Sequence, residues 1–162
     1  MEKLIDVASY ICNRYYETTG ERIDEMKLHK MLYFAQRESF VQNQEPLFPE
    51  VFYGWKYGPV LKEIRSIYRD DSFLSSDLIA PACIERIAPV MNKVFAEYAD
   101  KNSWSLSRLT HGEISWKNSR QGISEQDSSD NPILMDDIAK DAEKVRVRRK
   151  QIEQLAEKLG LA

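Results

Sequence analysis

Near the start of the chain, apolar residues recur at intervals of three and four. Leu4, Val7, Ala8, Ile11, Cys12 and Tyr15 fall on one face of a helix over residues 2–16, which Thr18-Thr19-Gly20 closes. Asp24 is placed to cap a second helix, in which Leu28, Met31, Leu32 and Ala35 line one face while Tyr33 and Phe34 widen it. So broad an apolar surface predicts a central helix with neighbours on more than one side. Glu45-Pro46 ends it.

The period then changes. Val51, Tyr53, Trp55 and Tyr57 alternate as on a strand, and the ten residues from Phe48 to Tyr57 hold five of the seventeen aromatics. An aromatic stripe is more often core than binding surface, which predicts Phe52 and Trp55 inside. With no clear partner run, the strand is either an edge or one half of a small hairpin with Pro46 to Val51. Gly58-Pro59 stops it. Proline fixes φ near the helical value and lacks an N–H that a first turn leaves unpaired, so Pro59 is expected to open a third helix, with Val60, Ile64, Ile67 and Tyr68 as its buried stripe.

Arg69-Asp70-Asp71-Ser72 and Ser75-Ser76-Asp77 form a polar break, after which Ile84, Ile87, Met91, Val94, Phe95 and Tyr98 resume helical spacing. Pro89 requires that helix either to begin near Ala88 or to kink. Ser103 offers a cap for a short helix through Leu106 and Leu109. Residues 121–134 are rich in Ser, Asp, Gln and Gly, with almost nothing to bury, and read as an exposed linker. In the stretch 135–162, Ile138, Ala142, Val145, Ile152, Ala156 and Leu159 form a stripe that Arg149 interrupts. That terminal helix either packs on the domain, docks into a groove of a partner, or pairs with its own copy. The expected fold is mainly α: a single compact domain of about six helices with a short β element near residues 48–57, divided into a helical domain 1–120, a polar linker 121–134 and a C-terminal amphipathic helix 135–162.

At 162 residues, 43% hydrophobic and 30% charged, the chain fits one ordinary globular domain. A net charge of −3 gives no bulk attraction to polyanions. Arg146, Arg148 and Lys150 splay around the terminal helix, and the second helix is too apolar to read base edges, so nucleic acid is a disfavoured partner. Neither a signal peptide nor an apolar run long enough to span a bilayer is visible, which predicts a cytoplasmic protein without membrane contact. Cys12 and Cys83 read as reduced, buried thiols.

His29 and His111 are the only histidines, so any metal or acid–base chemistry must use one of them. His111 and Glu113 are two residues apart, a spacing that diverges on a helix, and no further ligand is near. Catalytic residues, metal and cofactor are accordingly expected to be none. Thr110-His111-x-Glu113 reads as a helix end with side chains bonding free backbone groups and Trp116 packing below. A buried polar cluster of His111, Glu113 and Lys30 is the other reading.

Three pieces are specific: Lys27-Leu28-x-Lys30-Met31-Leu32-Tyr33-Phe34-Ala35-Gln36, Trp55-x-Tyr57-Gly58-Pro59-Val60, and Leu109-Thr110-His111-x-Glu113-x-x-Trp116. In this order, over most of residues 1–120, they resemble the Panacea (SocA-like) antitoxin domain of bacterial toxin–antitoxin pairs and prophages. The resemblance implies a protein that binds and neutralises a cognate protein toxin, with no reaction of its own. The alternatives are a DNA-binding regulator of a prophage or toxin–antitoxin operon and an adaptor that hands its partner to a protease. Tyr and Trp on a strand edge suit partner capture, which makes Tyr53, Lys56 and Tyr57 candidate contacts, joined by Arg146 and Arg149 of the terminal helix. A homodimer through that helix is a further expectation.

Overall fold

The computed structural model describes residues 1–70 and 79–161. Helix α1 spans Leu4–Thr19 and ends on Gly20 in the left-handed conformation. Helix α2 spans Glu25–Asn43, and Asp24 caps it by accepting the Lys27 N–H at 2.8 Å. Every residue from Lys27 to Phe40 is buried, because α1, α4 (Pro81–Tyr98), α5 (Ser103–His111) and α7 (Met135–Lys158) all pack around α2. The breadth of its apolar face is thus explained, and no surface remains between Lys27 and Phe40 for a DNA groove. Helix α3 (Lys62–Ile67) and helix α6 (Ile114–Ser119) are short. The polar break at Asp71 to Asp77 lies outside the described residues.

The β element is a two-stranded antiparallel hairpin, β1 (Tyr53–Trp55) with β2 (Gly58–Val60), in register Tyr53 with Val60 and Trp55 with Gly58. Two expectations are corrected here. The hairpin partner of the aromatic strand is Gly58–Val60 and not Pro46–Val51, and Pro59 lies in β2 instead of opening a helix, which starts at Lys62. Gly58 takes φ +112°, so the chain turns back on β1 before a helix can begin. Strand alternation also runs opposite to the aromatic stripe: Phe52 is buried, whereas Val51 and Tyr57 are exposed and Tyr53 and Trp55 half-buried.

Strand β1 has no open edge. Its far side is met by Asn131 to Ile133, with Gly54 N–H donating to Asn131 O at 2.8 Å and Ile133 N–H to Phe52 O at 2.7 Å. Residues 121–134 are tied down further by Arg120, which donates to the carbonyls of Ser124 and Asp127, and by buried Ile133. Helix α4 runs unbroken from Pro81 through Pro89, earlier than the start considered near Ala88. Asn102 and not Ser103 caps α5, accepting the Ser105 N–H at 2.9 Å.

Helix α7 buries Asp137, Ile138, Asp141 and Ala142 against the domain, while Ile152, Leu155 and Leu159 farther along are exposed. Asp141 accepts the N–H groups of Ile114 and Ser115 at 2.8 and 2.9 Å, capping α6 from another helix where its own N-cap residue, Glu113, makes no side-chain cap bond. Cys12 and Cys83 are free and buried, and burial pushes their thiols up to about 12 and about 11. No helix among the described residues is long and apolar enough to cross a membrane.

Candidate functional site

The hairpin tip is held by side chains from elsewhere in the chain. Arg120 Nη1 donates to Gly54 O at 3.1 Å, Trp116 Nε1 to Trp55 O at 2.8 Å and Ser107 Oγ to Tyr57 O at 2.6 Å. Three of the four main-chain carbonyls from Gly54 to Tyr57 are therefore gripped from α5, α6 and the residue after α6. His111 stacks on Trp116 with ring centroids 4.0 Å apart, and burial lowers its pKa, which favours the neutral ring. Arg120 in turn lies over the Trp116 ring at 5.1 Å.

The other strand is held from α2. Lys30 Nζ donates to Pro59 O at 3.2 Å, and His29 Nδ1 accepts the Leu61 N–H at 3.2 Å. Thr110 and Lys30 leave no room at Gly58, where an added Cβ would lie 2.5 Å from Thr110 Oγ1 and 2.6 Å from Lys30 Cε. The three sequence pieces thus meet at one place: two supply the grip and the third is gripped.

Glu113 belongs to a different group. It pairs with Arg37 at 2.5 Å and lies 3.4 Å from the Tyr33 hydroxyl, which bonds Ser115 Oγ at 2.6 Å and Asp141 at 3.3 Å. Burial raises the Glu113 pKa, with Arg37 opposing, and raises that of Tyr33. The polar cluster of His111, Glu113 and Lys30 considered from sequence is therefore split between two sites. Lys27 completes the placement of the motif residues: its Nζ donates to Ala99 O at 2.6 Å, at the C-terminus of α4.

Outward from the hairpin, the side chains form an aromatic and cationic face. Lys62 lies 3.9 Å over the Tyr53 ring, Arg65 lies 5.3 Å from Trp55, and Lys56 lies 5.4 Å from Tyr57. Tyr57, 47% exposed, packs edge-on at 5.4 Å against Trp104, 59% exposed. Between this face, the first turns of α2 and α3 opens a cleft of about 670 Å³. The structure so brings Tyr53, Lys56 and Tyr57 together. Arg146 and Arg149 are elsewhere and turned inward: Arg146 donates to the carbonyls of Phe40 and Val41, and Arg149 forms a two-pronged pair with buried Glu38, both bonds 2.8 Å. Trp104 and Arg65 escaped the sequence reading because only the folded hairpin places them beside Tyr57 and Trp55.

Comparison with curated proteins and with solved structures returned no match. The family described as Antitoxin SocA-like, Panacea domain, matches residues 28–117, more than half of the chain and the span that contains all three pieces except Lys27. The chain belongs to the Panacea domain family of SocA-like antitoxins.

Proposed function

We propose that this protein neutralises a cognate bacterial toxin by direct binding, and that the hairpin tip and its aromatic neighbours form part of the contact surface. Family membership supports the first half of the reading. The second rests on one observation: Gly54 and Trp55 at the end of β1, and Tyr57 in the turn that follows, are fixed by side chains from three other segments. A turn with no outward role gains little from such holding. A preorganised turn, by contrast, loses little entropy when a partner docks.

The mechanism is steric. Lasting inhibition calls for an interface on the order of 1,600 Å² with a few aromatic or Arg anchors, and Tyr53, Tyr57 and Trp104 with Lys56 and Arg65 have that composition. Arg146 and Arg149 are left out of the contact set, since their donors are taken up by α2. The protein is read as acting in the cytoplasm, without cofactor or metal.

Co-expression with the polypeptide encoded beside its gene tests the proposal. Growth should be restored and the two chains should copurify. Restoration without a complex would overturn it, as would restoration that depends on a protease degrading the toxin or on repression of the toxin gene.

A further inference from the structure

The cleft beside the hairpin has a polar floor and no charge to match it. His29 is 2% exposed, and with Nδ1 occupied by the Leu61 N–H, its buried Nε2 has no hydrogen-bond partner. Lys30 is 1% exposed and, among the described residues, its amine meets a single acceptor, the Pro59 carbonyl, with no carboxylate in contact. Burial holds that amine down to about 7. Two carboxylates do reach the rim, but Glu25 is paired with Arg65 at 2.9 Å and Asp130 with Lys62 at 2.8 Å. The groups without a partner charge are therefore all donors: His29 Nε2, the Lys30 amine and the Lys56 ammonium.

Ser128 and Ser129 add two neutral hydroxyls to the lining, and its apolar part is provided by Met26, Val60 and the Trp55 ring. A volume of about 670 Å³ holds more than one side chain. The mouth is continuous with Tyr57, whose ring joins that of exposed Trp104, so an occupant can extend out of the cleft onto an aromatic surface. A free small anion has no use for that surface, whereas a polypeptide covers it.

We propose that this cleft receives an acidic segment of the partner protein, its carboxylate directed at Lys30 and His29 and an adjacent apolar side chain laid against Trp55 and Val60. This rests on the toxin-binding reading and names the chemistry of what the toxin presents. Unpaired donors next to uncompensated cations select an anion, because the alternative is to leave both without a partner in a low-dielectric pocket.

The full chain is titrated with the capped peptide Ac-Ala-Glu-Phe-Ala-NH2, with its Gln counterpart and with acetate, while the indole N–H resonance of Trp55, identified by W55F, is followed by NMR. The Glu peptide should shift that resonance saturably, the Gln peptide should bind at least tenfold more weakly, and acetate should leave it nearly unmoved. Lys30→Met should erase the preference for Glu over Gln; Lys56→Glu, at the half-exposed rim and outside the core, should lower affinity for the Glu peptide at least fivefold. Equal response to the two peptides, a response to acetate as large as to the Glu peptide, or an unchanged preference in both variants would overturn the proposal. If the cleft fails in this way while co-expression still restores growth through a complex, the toxin-binding reading stands without it. If no complex forms, that reading falls whatever the peptides do.

Discussion

The indole N–H of Trp116 donates to the backbone carbonyl of Trp55 across sixty-one positions of sequence, at 2.8 Å. The ring that makes this bond also carries His111 on one stack and the Arg120 guanidinium nearby, so one side chain makes or supports two of the three grips on residues 54–57. Trp116→Phe keeps much of the apolar volume and removes the donor. It should cost about 0.5–1.5 kcal/mol for the lost hydrogen bond, with any lost packing added. Urea denaturation measures the cost, and backbone amide exchange at residues 54–58 should accelerate more than in α1. Uniform protection across the chain would show that Trp116 is only a core filler.

Gly58 resists a side chain on two counts, backbone and space. Its φ of +112° is strained for any L side chain, and the nearest atoms to an added Cβ belong to Thr110 and Lys30, both buried. Gly58→Ala should destabilise by about 2 kcal/mol or more. A thermal melt checks this, with Gly122→Ala as reference: that residue also has positive φ, at +80°, but open space around it.

Lys30 gives stability a distinct pH dependence. Its pKa is about 7 in the fold and near 10.5 when unfolded. Below about pH 7 both states are protonated and the fold carries the whole cost of burying an ammonium. Between about 7 and 10.5 the unfolded chain holds the proton and the folded one does not, so stability gains as pH rises, by up to about 1.4 kcal/mol per unit. His29, lowered to about 3 by burial, adds a separate loss as pH falls from 6.5. The difference in urea midpoint between wild type and Lys30→Met, taken from pH 7 to pH 10, should move in favour of wild type. A constant difference would mean that the amine stays charged throughout.

Arg149 anchors α7 to α2. Glu38 is 3% exposed and receives both Arg149 bonds, so Arg149→Ala leaves a buried carboxylate with the Gln42 amide as its remaining donor and should cost about 1–3 kcal/mol. Adding Glu38→Gln should recover part of that loss. Toxin neutralisation should track stability in these variants, whereas Tyr57→Ala should weaken neutralisation with folding unchanged.

Most of the helical frame was legible because it rests on local periodicity: α1, α2 with its Asp24 cap, and the breadth of the α2 face all follow from spacing alone. What escaped depends on residues far apart. Proline at 59 is a good helix opener in isolation, but pairing of Gly58 with Trp55 overrides it. Residues 121–134 have little to bury, yet their backbone from Asn131 to Ile133 completes the sheet, and backbone pairing leaves no mark on composition. Arg149 breaks an apolar stripe, and only Glu38 on a neighbouring helix explains why. At the candidate site, Tyr53, Lys56 and Tyr57 could be nominated from the aromatic run; their union with Trp104, Arg65 and the His29–Lys30 floor required the fold.

All the grips on the tip seize peptide groups, and none takes hold of the Lys56 or Tyr57 side chain. Exchange of those two residues therefore alters what the loop displays without loosening its mount. On the toxin-binding proposal, such an arrangement would let a lineage change what the loop recognises by altering a few letters at a fixed mounting, with the supporting helices free to stay as they are.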